Sequence, residues 1–174
     1  MFQILTPLAK LTRVSRQIED VSSFVAHPGL WGALNANGTI KNVPDAAPSI
    51  VTKLIIGDCS ADPYESHDTK GSGRITTIED VGFRFSCDSD CYTGEPDFGD
   101  FLAVSDKVPG KLFDLNDSDD GETGDYEVVA RVEEVFADGV IVCRAVSSAN
   151  LVTAGTGGLP GPISSYYYST LYGE

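Results

Sequence analysis

The stretch GDYEVVARVEEVFADGVIVCRAV, residues 124–146, decides the fold class. Tyr126 to Val135 and Gly139 to Val146 are two runs rich in β-branched residues, which suit a pleated, half-buried surface. They meet at Phe136-Ala137-Asp138-Gly139, where Asp138-Gly139 is a hairpin signal. The pair is therefore predicted to fold as an antiparallel hairpin.

The same texture extends toward the N-terminus. Leu30 to Leu34 and Thr39 to Val43 flank a second turn, Asn35-Ala36-Asn37-Gly38. Further strands are predicted at Ser49 to Ile56 (SIVTKLII), Gly73 to Ile78 (GRITTI), Gly82 to Cys87 (GFRFSC) and Asp100 to Val104 (DFLAV). The alternation of strands with helices that builds a parallel sheet is missing. The expected fold is mainly β, a small antiparallel barrel or sandwich, occupying residues 29–148.

The two ends differ from this body. Residues 2–25 place Phe2, Leu5, Leu8, Leu11, Val14, Ile18, Val21 and Phe24 at spacings of three and four, which predicts one helical face beginning at or after Pro7. Residues 1–28 are read as an N-terminal arm, helical or extended. It packs on its own domain or docks on a neighbouring subunit. Residues 149–174 form a tail of linker composition through Gly155, Gly157, Gly158, Pro160, Gly161 and Pro162. Tyr166, Tyr167, Tyr168 and Tyr172 then follow close together. Tyrosines offer contact area at low entropic cost, so this tail is expected to dock.

The net charge of -14 is unevenly spread. Residues 1–28 carry three bases against two acids, residues 29–144 nine bases against 23 acids, and residues 145–174 only Glu174. An acidic body repels phosphates, so direct nucleic-acid binding is not expected. No stretch approaches 18 apolar residues, so no membrane span is expected. Met1 is followed by mixed apolar and basic residues rather than a secretory apolar region. Synthesis in a reducing cytosol is expected, with Cys59, Cys87, Cys91 and Cys143 as free thiols.

Chemistry-bearing patterns are sparse. The histidines, His27 and His67, belong to no recognisable triad, and no nucleophile elbow occurs. Cys87-Asp88-Ser89-Asp90-Cys91 could supply a zinc site with Cys59 and His67, or close a local disulfide in an oxidising setting. Asn116 to Glu127 has the cadence of a calcium loop, but its flanks read as strands, so a solvated acidic loop is preferred. Lys70-Gly71-Ser72-Gly73-Arg74 lacks the spacing of a phosphate-binding loop. Trp31, the single tryptophan, defines no sugar cleft by itself. The chain is expected not to be an enzyme, and no catalytic residue, metal ligand or cofactor is assigned.

The arm Met1–Phe24, the β body ending in residues 124–146 and the Gly/Tyr tail together resemble the small structural proteins of tailed-bacteriophage virions, especially capsid decoration (cement) proteins. The steps Gly99 to Val104 and Gly110-Lys111-Leu112 fit the same compact β style. The resemblance is one of organisation over most of the chain. It implies a homo-oligomer, a dimer or trimer, that binds the major capsid protein and stabilises the capsid. The protein would be made in the host cytoplasm and sit on the capsid surface. On this reading Phe2, Leu5, Leu8, Leu11, Val14 and the tail tyrosines Tyr166, Tyr167, Tyr168 and Tyr172 are the partner-binding residues. A tail or neck protein, or a metal- or carbohydrate-binding β module, is the alternative.

Overall fold

A computed structural model describes residues 2–42, 52–55, 70–105, 107–116, 125–146 and 151–153. The strands are β1 Gln3–Ile4, β2 Arg13–Gln17, β3 Trp31–Leu34, β4 Ile40–Asn42, β5 Thr52–Ile55 and β6 Arg74–Ile78. After these come β7 Arg84–Cys87, β8 Phe101–Val104, β9 Leu112–Asp114, β10 Asp125–Val135, β11 Ile141–Ala145 and β12 Leu151–Thr153. Short 3-10 turns occupy Leu8–Lys10 and Lys70–Ser72. The protein is mainly β, and every strand pair is antiparallel.

Two sheets result. The larger has the order β1-β7-β11-β10-β8-β9, with β12 also on β10, and the smaller the order β2-β6-β5-β3-β4. Neither closes into a barrel. The smaller curls until its edges meet at one point, a bridge between Ile18 and Ile40. Ile18, Phe24, Ile40 and Ile75 form a small core there.

The sheets share the main core. Trp31, Ala33 and Ile78 of the smaller pack with Phe85, Leu102, Leu112, Val132 and Ile141 of the larger. The Trp31 and Phe85 ring centroids lie 6.3 Å apart, and Phe2 and Phe83 also touch Phe85, at 5.9 and 5.8 Å. Phe85 thus sits at the centre of the contact between the sheets. Burying side chains of this size contributes roughly 1.5–3 kcal/mol each.

Alternation is clearest at β8 and β9. Leu102, Val104 and Leu112 enter the main core, while Phe101, Ala103 and Phe113 enter a second cluster with Leu115 and Val128. Successive side chains point to opposite faces of a strand, so one short segment serves two cores.

Two glycines stand where a side chain would not fit, and at Gly110 backbone from the two sheets nearly touches. Trp31 N–H donates to the Gly110 carbonyl at 2.8 Å, linking β3 to the β8–β9 turn. Gly110 has φ +73°, and a Cβ there would lie 2.7 Å from the Trp31 carbonyl oxygen. Gly29, at φ +91°, is closed in by side chains instead: a Cβ there would meet the Phe2 ring and the Cys91 sulfur.

The helical face expected over residues 2–25 is overturned. The segment is extended, with β1 on β7 and β2 on β6, apart from the 3-10 turn and a turn at Asp20–Phe24. It runs from one edge of the larger sheet to one edge of the smaller. Its apolar residues go to separate destinations: Phe2, Ile4 and Leu11 pack on the main core, Ile18 and Phe24 enter the small one. Spacings of three and four arose from serving two sheets in turn.

Both hairpin turns form, each with a three-residue loop. Asn35 N–H donates to the Thr39 carbonyl and Phe136 N–H to the Val140 carbonyl, both at 2.8 Å, while Gly38 and Gly139 take φ +83° and +80°. This is the arrangement in which the last loop residue is left-handed and glycine fits. Asn37 and Asp138 occupy the same position and accept from the backbone N–H two residues on, at 3.1 and 3.2 Å.

Candidate functional site

Three of the cysteines converge in the main core. Cys87 on β7 and Cys143 on β11 share the inward face, because Cys143 pairs with Phe85 two residues before Cys87. Cys91 follows β7 in the next turn. All three are free thiols and fully buried. Hydrogen bonding with Cys143, together with burial, pushes the Cys87 thiol far above its ordinary range. Hydrogen bonding with Cys87 and burial do the same to Cys91, whose thiol also approaches the Pro28 carbonyl at 3.6 Å. A nucleophilic or metal-binding cysteine needs its thiolate, and this environment opposes it. Among the described residues no three His, Cys, Asp or Glu side chains are arranged to hold a metal ion. Cys59 and His67 lie outside the described residues, as does most of the acidic loop 117–124.

The charged groups on the outer face of the larger sheet are engaged with one another. Arg84 Nε donates to Glu133 at 2.6 Å and its Nη2 to Glu134 at 2.9 Å, while Arg144 Nε donates to Glu133 at 2.5 Å. The bond to Glu133 raises the Arg84 pKa. A register shift between Val132 and Glu134 places both glutamates within this reach. On the smaller sheet Arg16 forks onto both Glu79 oxygens at 2.8 and 2.9 Å.

A surface cleft of about 360 Å³ lies between the Glu19–Val25 turn and β4, lined in part by Glu19, Asp20, Phe24, Lys41 and Asn42. Its polar groups hold the turn. Asp20 accepts from the Ser22 and Ser23 hydroxyls at 2.6 and 2.8 Å, and these bonds lower its pKa to about 2. The Asn42 side chain bonds both the N–H and the carbonyl of Val25. Trp31 is buried at the sheet contact, where its indole N–H has no hydrogen-bond partner among the described residues, so it offers no platform for a sugar. The His27 Nδ1 rests 2.8 Å from the Pro28 carbonyl in an exposed turn.

Among the described residues, two aromatic side chains stand out in solvent. Phe98 is 72% exposed and Phe136 48% exposed. Each sits on a hydrogen-bonded turn, Asp97–Asp100 and Phe136–Val140. Sequence reasoning missed Phe98, because an aromatic beside the DFLAV strand gave no sign of facing outward.

The residues predicted to bind a partner are dispersed. Phe2 and Leu11 pack on the chain's own core, Val14 is half-buried on β2, and Leu5 is exposed. Leu8 belongs to the first 3-10 turn. Tyr166, Tyr167, Tyr168 and Tyr172 lie outside the described residues. The start of the predicted tail is sheet: β12 pairs Leu151 with Glu127 and Thr153 with Asp125.

No known family matches this chain, and no curated protein or solved structure matches it either.

Proposed function

We propose that this chain is a structural virion protein of a tailed bacteriophage that decorates and stabilises the capsid. One contrast supports the docking part of this reading. The groups best suited to chemistry are engaged internally: three thiols with one another, Arg84 and Arg144 with Glu133, and the Tyr92 hydroxyl with the Gly139 carbonyl at 2.5 Å. By contrast, two large apolar side chains, Phe98 and Phe136, are held out in solvent on hydrogen-bonded turns. Such a surface suits adhesion better than turnover.

The capsid as partner comes from the resemblance in organisation. On this reading the packed sheets form a sandwich-like body, two or three copies associate, and the Gly/Tyr tail reaches the major capsid protein. A subunit that binds only the expanded lattice stabilises that state by mass action. The test is mass spectrometry of purified particles of the phage encoding the chain, with co-sedimentation of the recombinant protein. Stoichiometric presence and saturable binding are expected. Absence from the particles would overturn the reading.

A further inference from the structure

The exposed aromatics occupy one end of the larger sheet. The Asp97–Asp100 turn is fixed by Asp100 N–H on the Asp97 carbonyl at 3.2 Å and by Asp97 N–H on the Asp100 carboxylate at 2.6 Å. Gly99 takes φ +96°, which leaves Phe98 at the tip. The turn is fastened to β10: Gly99 N–H donates to the Val132 carbonyl and Val132 N–H to the Asp100 carbonyl, at 3.0 and 2.9 Å. Phe98 therefore lies beside the last residues of β10, where Val135 and Phe136 are 45% and 48% exposed. At ~3.3 Å per strand residue, Phe98 and Phe136 stand on the order of 10 Å apart. Both stand at the same end of the larger sheet, each on a hydrogen-bonded turn.

The surroundings are acidic. Residues 92–100 and 133–140 contain Glu95, Asp97, Asp100, Glu133, Glu134 and Asp138, and no lysine or arginine. The nearest arginines are engaged: Arg84 and Arg144 neutralise Glu133 and Glu134, and Arg131 lies over the Phe101 ring at 5.6 Å with its Nε 3.5 Å from the Gly99 carbonyl. This leaves Glu95, Asp97, Asp100 and Asp138 as an excess of negative charge. A second copy brought patch to patch would set acid against acid. Phosphate-bearing surfaces, whether nucleic acid or anionic lipid, are repelled as well.

We infer that this end of the larger sheet docks a protein surface that presents lysine or arginine around aliphatic or aromatic groups. Phe98 and Phe136 are the apolar anchors, and Glu95, Asp97, Asp100 and Asp138 select and steer the basic partner. The inference rests on the docking reading above and gives that site its partner chemistry.

The test uses the full chain and two labelled synthetic peptides, one alternating lysine and leucine, the other glutamate and leucine. Fluorescence polarisation should show binding of the lysine peptide only, weakening as salt rises. The F98S/F136S double variant should bind about tenfold more weakly or worse. V81S removes an apolar side chain that is 64% exposed elsewhere and should bind as the parent does. All replaced side chains are exposed, and circular dichroism checks that each variant is folded. Equal binding of both peptides, undiminished binding by F98S/F136S, or an equal loss in V81S would overturn the inference. So would salt-resistant self-association in sedimentation that F98S/F136S abolishes, because a second copy would then be the occupant. Failure here with co-sedimentation intact removes only the partner chemistry. A chain absent from virions that still binds the lysine peptide through Phe98 and Phe136 removes only the capsid.

Discussion

The larger and smaller sheets use the same antiparallel pairing and differ in how they are completed. In the larger, β8 and β9 are buried on both faces, and β10 carries partners along most of its length. The smaller depends on the chain's first residues: β2 supplies one edge, and Ile18 ties that edge to β4. Their charges differ too. The described stretches 2–42, 52–55 and 70–80, which build the smaller sheet, hold seven bases and four acids, a balance of +3. The stretches 81–105, 107–116, 125–146 and 151–153, which build most of the larger, hold five bases and 11 acids, a balance of -6. Among the described residues the acidity is thus not a uniform coat: it favours the sheet that carries the exposed aromatics over the other.

The largest test of this contrast is removal of residues 1–18. It takes away β2 and the Ile18 tie, but from the larger sheet only the two-residue edge strand β1 and the half-buried Phe2, Ile4 and Leu11. Amide protection in β3 and β6 should therefore collapse while the central pair β10 and β11 stays protected in hydrogen exchange. Retained protection in β6 would restore the segment to a mere appendage. Phe85→Ala comes next. It empties the centre of the contact between the sheets and should cost about 3–5 kcal/mol in urea unfolding. A cost below about 1 kcal/mol would show that the sheets do not depend on this contact.

Gly110→Ala should cost about 2–4 kcal/mol, because a left-handed φ and a blocked approach to Trp31 act together. An unchanged urea midpoint would mean that the sheets separate at that point with little penalty. The smallest effect concerns the turn at the rim of the smaller sheet. Asp20 has its pKa lowered to about 2, so its contribution is fully present above the ordinary carboxylate range near 4 and is lost as pH falls through about 2. NMR titration of its carboxyl carbon should show that midpoint, and S22A/S23A should move it upward. A midpoint near 4 in the parent chain would remove these bonds from solution.

Much of the body was legible. GRITTI, GFRFSC, DFLAV and the pair ending at Val146 became strands because β-branched and aromatic residues alternate there and glycine turns separate them. The N-terminal segment misled because its apolar spacing fits a helix, and only the tertiary arrangement shows that its residues face two cores. β9 and β12 were too short to stand out, at three residues each. At the candidate site, the meeting of Cys87 with Cys143 depended on strand register, which residue spacing does not encode. Phe98 depended on which way a turn faces.

The two similar hairpin loops have a consequence for how the protein ages. Asn-Gly is the dipeptide most prone to lose its side-chain amide, through attack of the glycine nitrogen on the asparagine side chain. In the β3–β4 loop that nitrogen is occupied, donating to the Asn35 carbonyl at 2.9 Å. The sister loop already carries aspartate in the corresponding place, Asp138, with its backbone bond to Val140 intact. A simple conversion of Asn37 to aspartate therefore keeps the loop's bonding pattern and adds one more negative charge to it. Only the isoaspartyl product, with its extra backbone carbon, breaks the loop. Peptide mapping of stored protein should find slow conversion at Asn37, and faster conversion once the chain is unfolded.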